Sequence, residues 1–170
     1  MTGELAVSAK HKTPKVIGYN DLKGDLQTQT TWTDGRHSIE EMTRAAAEAG
    51  LEYIAITDHT KRLAMTNGLN EKRLAQQTDE IDALNKKLHV TRSTFRVLKG
   101  TECDILKDGS LDLSDAALAK LDVVGASVHS YFNLPRDEQT KRIIRAMKNP
   151  HVDILFHPTG RLIQKRAGYE

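Results

Sequence analysis

Four apolar runs in this chain have the residue pattern of β-strands, and each ends on a side chain that can bind a metal ion. Tyr53 to Thr57 runs into Asp58-His59, and Val97 to Thr101 into Glu102. Val123 to Val128 runs into His129, and Val152 to Phe156 into His157-Pro158. No other feature limits the fold as much. Parallel strands closed into a barrel carry their C-terminal ends to one face, so these residues would converge there. A first strand should contribute too. The chain there reads Asp25-Leu26-Gln27-Thr28-Gln29-Thr30, with two amides where imidazoles would be expected.

Helical segments alternate with these runs. Ser38, with Glu41 three residues on, forms a capping box that starts a helix, and Gly50 stops it. Ile39, Met42, Ala46 and Ala49 form its apolar stripe. Residues 61–69 read as a polar loop. Asn70 caps a longer helix, with Leu74, Ile81, Leu84 and Leu88 recurring at helical spacing. A third strand runs from about Arg96 to Ile105, and Asp108-Gly109 makes a tight turn. Ser114 begins a short helix, and Asp137 opens another with Ile143, Ile144 and Met147 facing inward until Asn149-Pro150 ends it. Residues 1–20 read as a linker and 21–170 as one domain. Five βα repeats predict an α/β fold with a parallel sheet and right-handed crossovers.

The chain has 170 residues, enough for one domain with a real core. A formal charge of +2 is too small to argue for nucleic acid by itself. One cysteine, Cys103, excludes an internal disulfide and suits a reducing cytoplasm. No stretch approaches the roughly 20 apolar residues that cross a bilayer, so no membrane partner is expected.

Side chains alternate across a strand, which puts Gln27 and Gln29 on one face. A His-x-His pair there would clamp one ion with two imidazoles. Asp34, in the loop just beyond, can add a carboxylate, and the two oxygens of Glu102 could bridge two ions. His59, His129 and His157 supply nitrogen ligands. A mixed cluster of this kind acidifies water and neutralises phosphate charge, the two demands of phosphoester hydrolysis. One histidine at a strand end is usually just a hydrogen-bonded residue. Three histidines and a glutamate at successive ends are harder to dismiss. Asp58 reads as a supporting partner or cap, and Cys103, next to Glu102, as core. His11, His37, His89 and His151 read as solvated, as do Lys141, Arg142 and Arg145 on one helix face. Arg161 and Lys165 follow the site closely and could contact phosphate or DNA.

These residues resemble a known family. Gly24-Asp25-Leu26, Thr30 to Gly35, Ile56-Thr57-Asp58-His59, Ser127-Val128-His129-Ser130 and His157-Pro158-Thr159-Gly160-Arg161 look like motifs of the polymerase and histidinol phosphatase (PHP) domain. Lys99 to Leu106, Asp108 to Asp112 and Ile143 to Met147 narrow the resemblance to the PHP domain attached to bacterial and archaeal family X DNA polymerases. The resemblance implies a distorted, TIM-like (βα)7 barrel with up to three metal ions, Mn²⁺ or Zn²⁺. It implies removal of nucleotides or terminal phosphates from DNA 3′ ends in repair, as 3′-5′ exonuclease or 3′-phosphatase. By motif, Asp34, His59, Glu102, His129 and His157 match its metal ligands; the last four would be catalytic through metal-bound water. DNA and the polymerase domain of a parent chain are the implied partners, with residues 1–20 then the end of the connection to that domain.

Two departures matter. Family members carry histidine where this chain has Gln27 and Gln29, and an amide carbonyl is a weak ligand. The chain also stops before the family's last strands and their Asp-x-His pair, at about five βα units. The expectation is a partial or absent ion complement and a phosphoesterase that is inactive or crippled. The alternatives are a non-catalytic scaffold supporting polymerase or DNA contact, and a small-molecule phosphatase of the histidinol phosphate type. A sheet with unpaired edges is also expected to self-associate or be marginally stable.

Overall fold

A computed structural model describes residues 4–10, 16–91 and 93–169. Five strands form one parallel sheet in the order of the chain: β1 (Gly24–Thr28), β2 (Tyr53–Ile56), β3 (Arg96–Asp104), β4 (Val123–Ser127) and β5 (Ile154–Leu155). The helices are α1 (Glu4–Ala9), α2 (Ile39–Glu48), α3 (Glu71–Val90), α4 (Asp115–Leu118) and α5 (Arg136–Met147). Helices α2 to α5 fall between successive strands, so the alternation read from the sequence is the alternation of the fold. Among the described residues, no helix is long and apolar enough to cross a membrane.

Local chemistry accounts for the boundaries. The Ser38 side chain accepts from the Glu41 backbone N–H, and Glu41 reaches back to the Ser38 backbone N–H. Asn70 accepts from the Arg73 N–H to start α3. Gly50 takes a φ of +83° after α2, a conformation that costs glycine little.

The helix-facing side of the sheet is apolar. Ile39, Ile54, Ile56, Ile81, Leu84, Phe95 and Val97 join α2 and α3 to β2 and β3. Leu74, Cys103, Leu118 and Val124 continue that layer, and Ile105, Ala126, Val128 and Ala146 extend it to α5. Each fully buried Ile or Leu contributes about 1.5–3 kcal/mol. The Asn85 amide also clips α3 onto β3, donating to the Val97 carbonyl at 2.8 Å and accepting from the Val97 N–H at 3.0 Å.

Several expectations are corrected. Part of the segment read as a linker is helical, as α1; His11 lies outside the described residues. Helix α5 starts at Arg136, after Pro135 as N-cap, rather than at Asp137. Ile144 and Met147 face solvent, 46% and 54% exposed, while Gln139, Arg142 and Ala146 face inward. Arg142 is not solvated. It is 2% exposed, and its guanidinium donates to the carbonyls of Leu106 and Ser130 at 2.8 Å each and to that of Ile105. Three chain carbonyls at the ends of β3 and β4 offset the cost of burying that cation. His37 and His89 are exposed as expected, and His151 is half-buried.

Candidate metal centre

Glu102 is 1% exposed, and every strand brings something to it. Its Oε1 accepts from Ser127 Oγ at 2.9 Å and lies 3.0 Å from His129 Nε2 and 2.6 Å from His157 Nε2. Its Oε2 accepts from the amides of Gln27 at 3.0 Å and Gln29 at 2.9 Å. His59 Nδ1 lies 3.9 Å from the same oxygen, and His59 Nε2 lies 3.8 Å from Asp34 Oδ2. Gln27, Gln29, Asp34, His59, Glu102, His129 and His157 line one open cleft of about 620 Å³.

Backbone register explains the convergence. In β1 and just beyond it, residues 28 and 30 are buried while 27 and 29 turn to the cleft. The register with β2 shifts between Asp25 and Thr28, a bulge that sets the direction of Gln27. Glu102 pairs with Gly125 on β4. A Cβ on Gly125 would come within 2.2 Å of the Phe156 ring, so glycine lets that ring pack there, one residue before His157. Gly35 has the same role beside β1: a Cβ would meet the Gln29 carbonyl at 2.5 Å, and its absence lets the loop bearing Asp34 fold back on the strand. His157 adopts a φ of +30°, a strained conformation for a histidine.

A second ring of polar groups holds this cleft in place. Asp58, fully buried, accepts from the Thr30 N–H at 2.8 Å, Thr30 Oγ1 and Gln77 Nε2 at 2.6 Å each, and Thr33 Oγ1. It therefore ties the Asp34 loop to α3, the supporting role its position suggested. Asp112 accepts from Thr60 Oγ1 at 2.7 Å and the Arg62 N–H at 2.9 Å, and Cys103 Sγ lies 3.2 Å away. Cys103 is core, and burial with the Asp112 charge pushes its thiol well up, so it stays protonated.

Charge in the cleft is set by these contacts. Burial pushes the Glu102 carboxyl up, but hydrogen bonds from His129, His157 and Gln27 outweigh it and hold it well below the carboxylate range. Burial would lower His129; the Asp104 and Glu102 carboxylates beside it prevail and raise it to about 9. Asp104 Oδ1 stands 3.4 Å from His129 Nδ1 and accepts from the His129 N–H at 3.2 Å. The ligand atoms of His59, Glu102 and His129 lie within 4.8 Å of one another, and buried His59 Nδ1 has no hydrogen-bond partner. That donor set fits one divalent cation. The β1 end does not fit a second, because both amides are committed to Glu102.

Sequence reading missed Asp104 and Ser127. Both were reachable by strand alternation, two residues after Glu102 and two before His129. Arg161 and Lys165 are expected from the sequence to follow the site closely and to contact phosphate or DNA. They are exposed and line a separate cleft with Leu162, Gln164 and Arg166.

The PHP domain family model matches residues 25–164. A Bacillus subtilis (strain 168) protein named DNA polymerase/3′-5′ exonuclease PolX is 51% identical over 156 residues, 92% of this chain and 27% of that protein. A probable phosphatase of Thermoanaerobacter sp. (strain X514) is 35% identical over 148 residues, 81% of this chain and 55% of its own length. Another from Caldanaerobacter subterraneus subsp. tengcongensis is 33% identical over 152 residues, 83% and 54%. The chain thus spans from about a quarter to just over half of these relatives.

Proposed function

The chain belongs to the PHP domain family, and we propose that residues 21–170 form a metal-dependent phosphoesterase domain for DNA 3′ ends whose hydrolysis is crippled by Gln27 and Gln29. One observation carries this reading: Glu102 meets imidazoles at one oxygen and two glutamine amides at the other. His59, Glu102 and His129 would hold one Mn²⁺ or Zn²⁺, with Asp34 and His157 beside them. Such a cation supplies positive charge to phosphate oxygens and acidity to water.

The chain's own groups do the rest. Ser127 fixes the rotamer of Glu102 by donating to Oε1. Asp104 accepts from the His129 backbone N–H and stands 3.4 Å from the ring Nδ1, the side from which a carboxylate would orient a ligand histidine. Protonated His129 pairs with Glu102 and must give up that proton to ligate, which opposes ion uptake. Gln27 and Gln29 place N–H dipoles on Glu102 Oε2, where imidazoles would leave that oxygen free for a second ion. Their only ligand atom is a neutral carbonyl. One weakly held ion is then the most the cleft takes.

The names of the relatives, an exonuclease-polymerase and probable phosphatases, support phosphoester chemistry. The DNA substrate and a polymerase domain as partner belong to this reading through the name of the Bacillus relative; a seven-unit barrel belongs to it through the family resemblance, and a cytoplasmic setting through the lone cysteine Cys103. The Gln–Glu102 hydrogen bonds also favour a second reading, a scaffold without catalysis, because they satisfy Glu102 with no ion.

Elemental analysis with a 3′-labelled DNA assay tests the proposal. The unaltered chain, loaded with Mn²⁺ or Zn²⁺, should retain about one ion or less and release product near background. The Q27H/Q29H double variant should retain more ion, because Glu102 Oε2 is freed. Two tightly held ions, or robust manganese-dependent release, from the unaltered chain would overturn the reading. A double variant that takes up no more ion would favour the scaffold.

A further inference from the structure

Beside the Glu102 cleft, the loop after β4 presents Tyr131, two residues from His129. That separation keeps the two Cα atoms within about 7 Å. Tyr131 holds a φ of +56° and remains 41% exposed. A lone exposed tyrosine means little, but three cations converge on this one. Arg62 donates to its hydroxyl at 3.2 Å, and Lys107 Nζ and the Arg142 guanidinium stand 5.8 and 5.6 Å from its ring centroid. Arg62 is itself anchored, its backbone N–H on Asp112, in the loop that follows His59.

Tyr131 forms part of a cleft of about 550 Å³ that it shares with Lys107, Phe132 and Arg166. Phe132 is occupied: the Arg166 guanidinium lies 3.7 Å from its centroid and the Tyr169 ring stacks at 6.4 Å. Arg166 in turn donates to the Gly160 carbonyl at 2.9 Å. Among the described residues lining this cleft, two are cations and none is acidic. Lys107 is exposed, so it can swing off the ring to meet a phosphate.

We propose that Tyr131 is a stacking platform for a nucleobase of single-stranded DNA, with Arg62 and Lys107 meeting the flanking phosphates. The proposal rests on the phosphoesterase reading in that the strand's terminal phosphate would lie in the Glu102 cleft. An aromatic face ringed by cations is the chemistry that binds unpaired nucleic acid without reading its sequence. A base on Tyr131 has left its neighbour in the duplex, so the platform selects frayed or single-stranded ends over paired ones.

Fluorescence anisotropy tests this on the whole chain in EDTA, with a short 5′-labelled oligothymidylate and an abasic oligomer of equal length and charge. The unaltered protein should bind the abasic oligomer roughly tenfold more weakly, the size expected of one base–aromatic stack. Tyr131→Ala should weaken oligothymidylate binding by about the same factor and erase the difference between oligomers. Tyr131→Phe keeps the ring and should preserve it. Equal binding of both oligomers by the unaltered protein overturns the proposal, and that arm decides even if Tyr131→Ala fails to fold. An unchanged affinity in folded Tyr131→Ala overturns it too. Because EDTA removes ions and hydrolysis, binding is read apart from the metal: base-dependent binding by the unaltered chain, together with a Q27H/Q29H variant that takes up no more ion, would fail the phosphoesterase reading and leave this site standing.

Discussion

Glu102 and His129 are the two groups in the cleft whose ionisation is displaced most clearly, and they displace each other. His129 rises from an ordinary 6.5 to about 9, so its contribution to folding is full below pH 6.5 and is lost as pH climbs through 9. Glu102, held below its ordinary 4.5, contributes fully above that value and loses its contribution as pH falls. With chelator present, stability should therefore plateau between about pH 5 and 6.5. By pH 9.5 it should drop on the order of 2 kcal/mol, a value reduced for the solvent that reaches His129. Urea melts across this range measure it, and His129→Gln should flatten the alkaline side. An unaltered chain as stable at pH 9.5 as at 6 would refute the coupling. At this scale the sequence was legible wherever a residue stood at a strand end. It did not reveal that Gln27 and Gln29 bond to Glu102, since the two positions lie some 75 residues away and only the fold brings them together.

Helix α5 shows where patterns of apolar residues mislead. Its inward face carries Gln139 and Arg142, while Ile144 and Met147 look outward. Hydropathy cannot see three carbonyls waiting at the ends of β3 and β4, and those carbonyls turn the helix. Arg142→Met keeps much of the volume but leaves the carbonyls of Leu106, Ile105 and Ser130 without donors. It should cost about 2–4 kcal/mol in urea denaturation. Arg142→Lys should recover only part, because a single ammonium cannot span three acceptors. A neutral effect of Arg142→Met would mean water replaces the guanidinium. The capping residues Ser38 and Asn70, by contrast, act on their own backbone neighbours, and the starts of α2 and α3 could be read directly.

For the molecule as a whole, strand order was the most legible property. Crossovers of one hand between successive strands leave few arrangements, and β1-β2-β3-β4-β5 is the simplest of them. Among the described residues, β1 and β5 each pair on one side only, and Met65 and Ile163 are 91% and 75% exposed. Open edges and exposed apolar groups favour pairing between copies. Light scattering should show mass rising with concentration; a monomer throughout would mean the edges are protected. The same sequential order also bears on synthesis. Each strand docks on the one made just before it, so pairing can follow chain order as the chain leaves the ribosome, each parallel closure waiting on its helical crossover. Glu102 would then be laid down before His129 and His157 exist, and the amides of Gln27 and Gln29 are hydrogen-bond donors already present to receive its charge. Pulsed hydrogen exchange during refolding should protect the amides joining β2 to β3 before those joining β4 to β5, and the reverse order would show that the cleft forms from its other side.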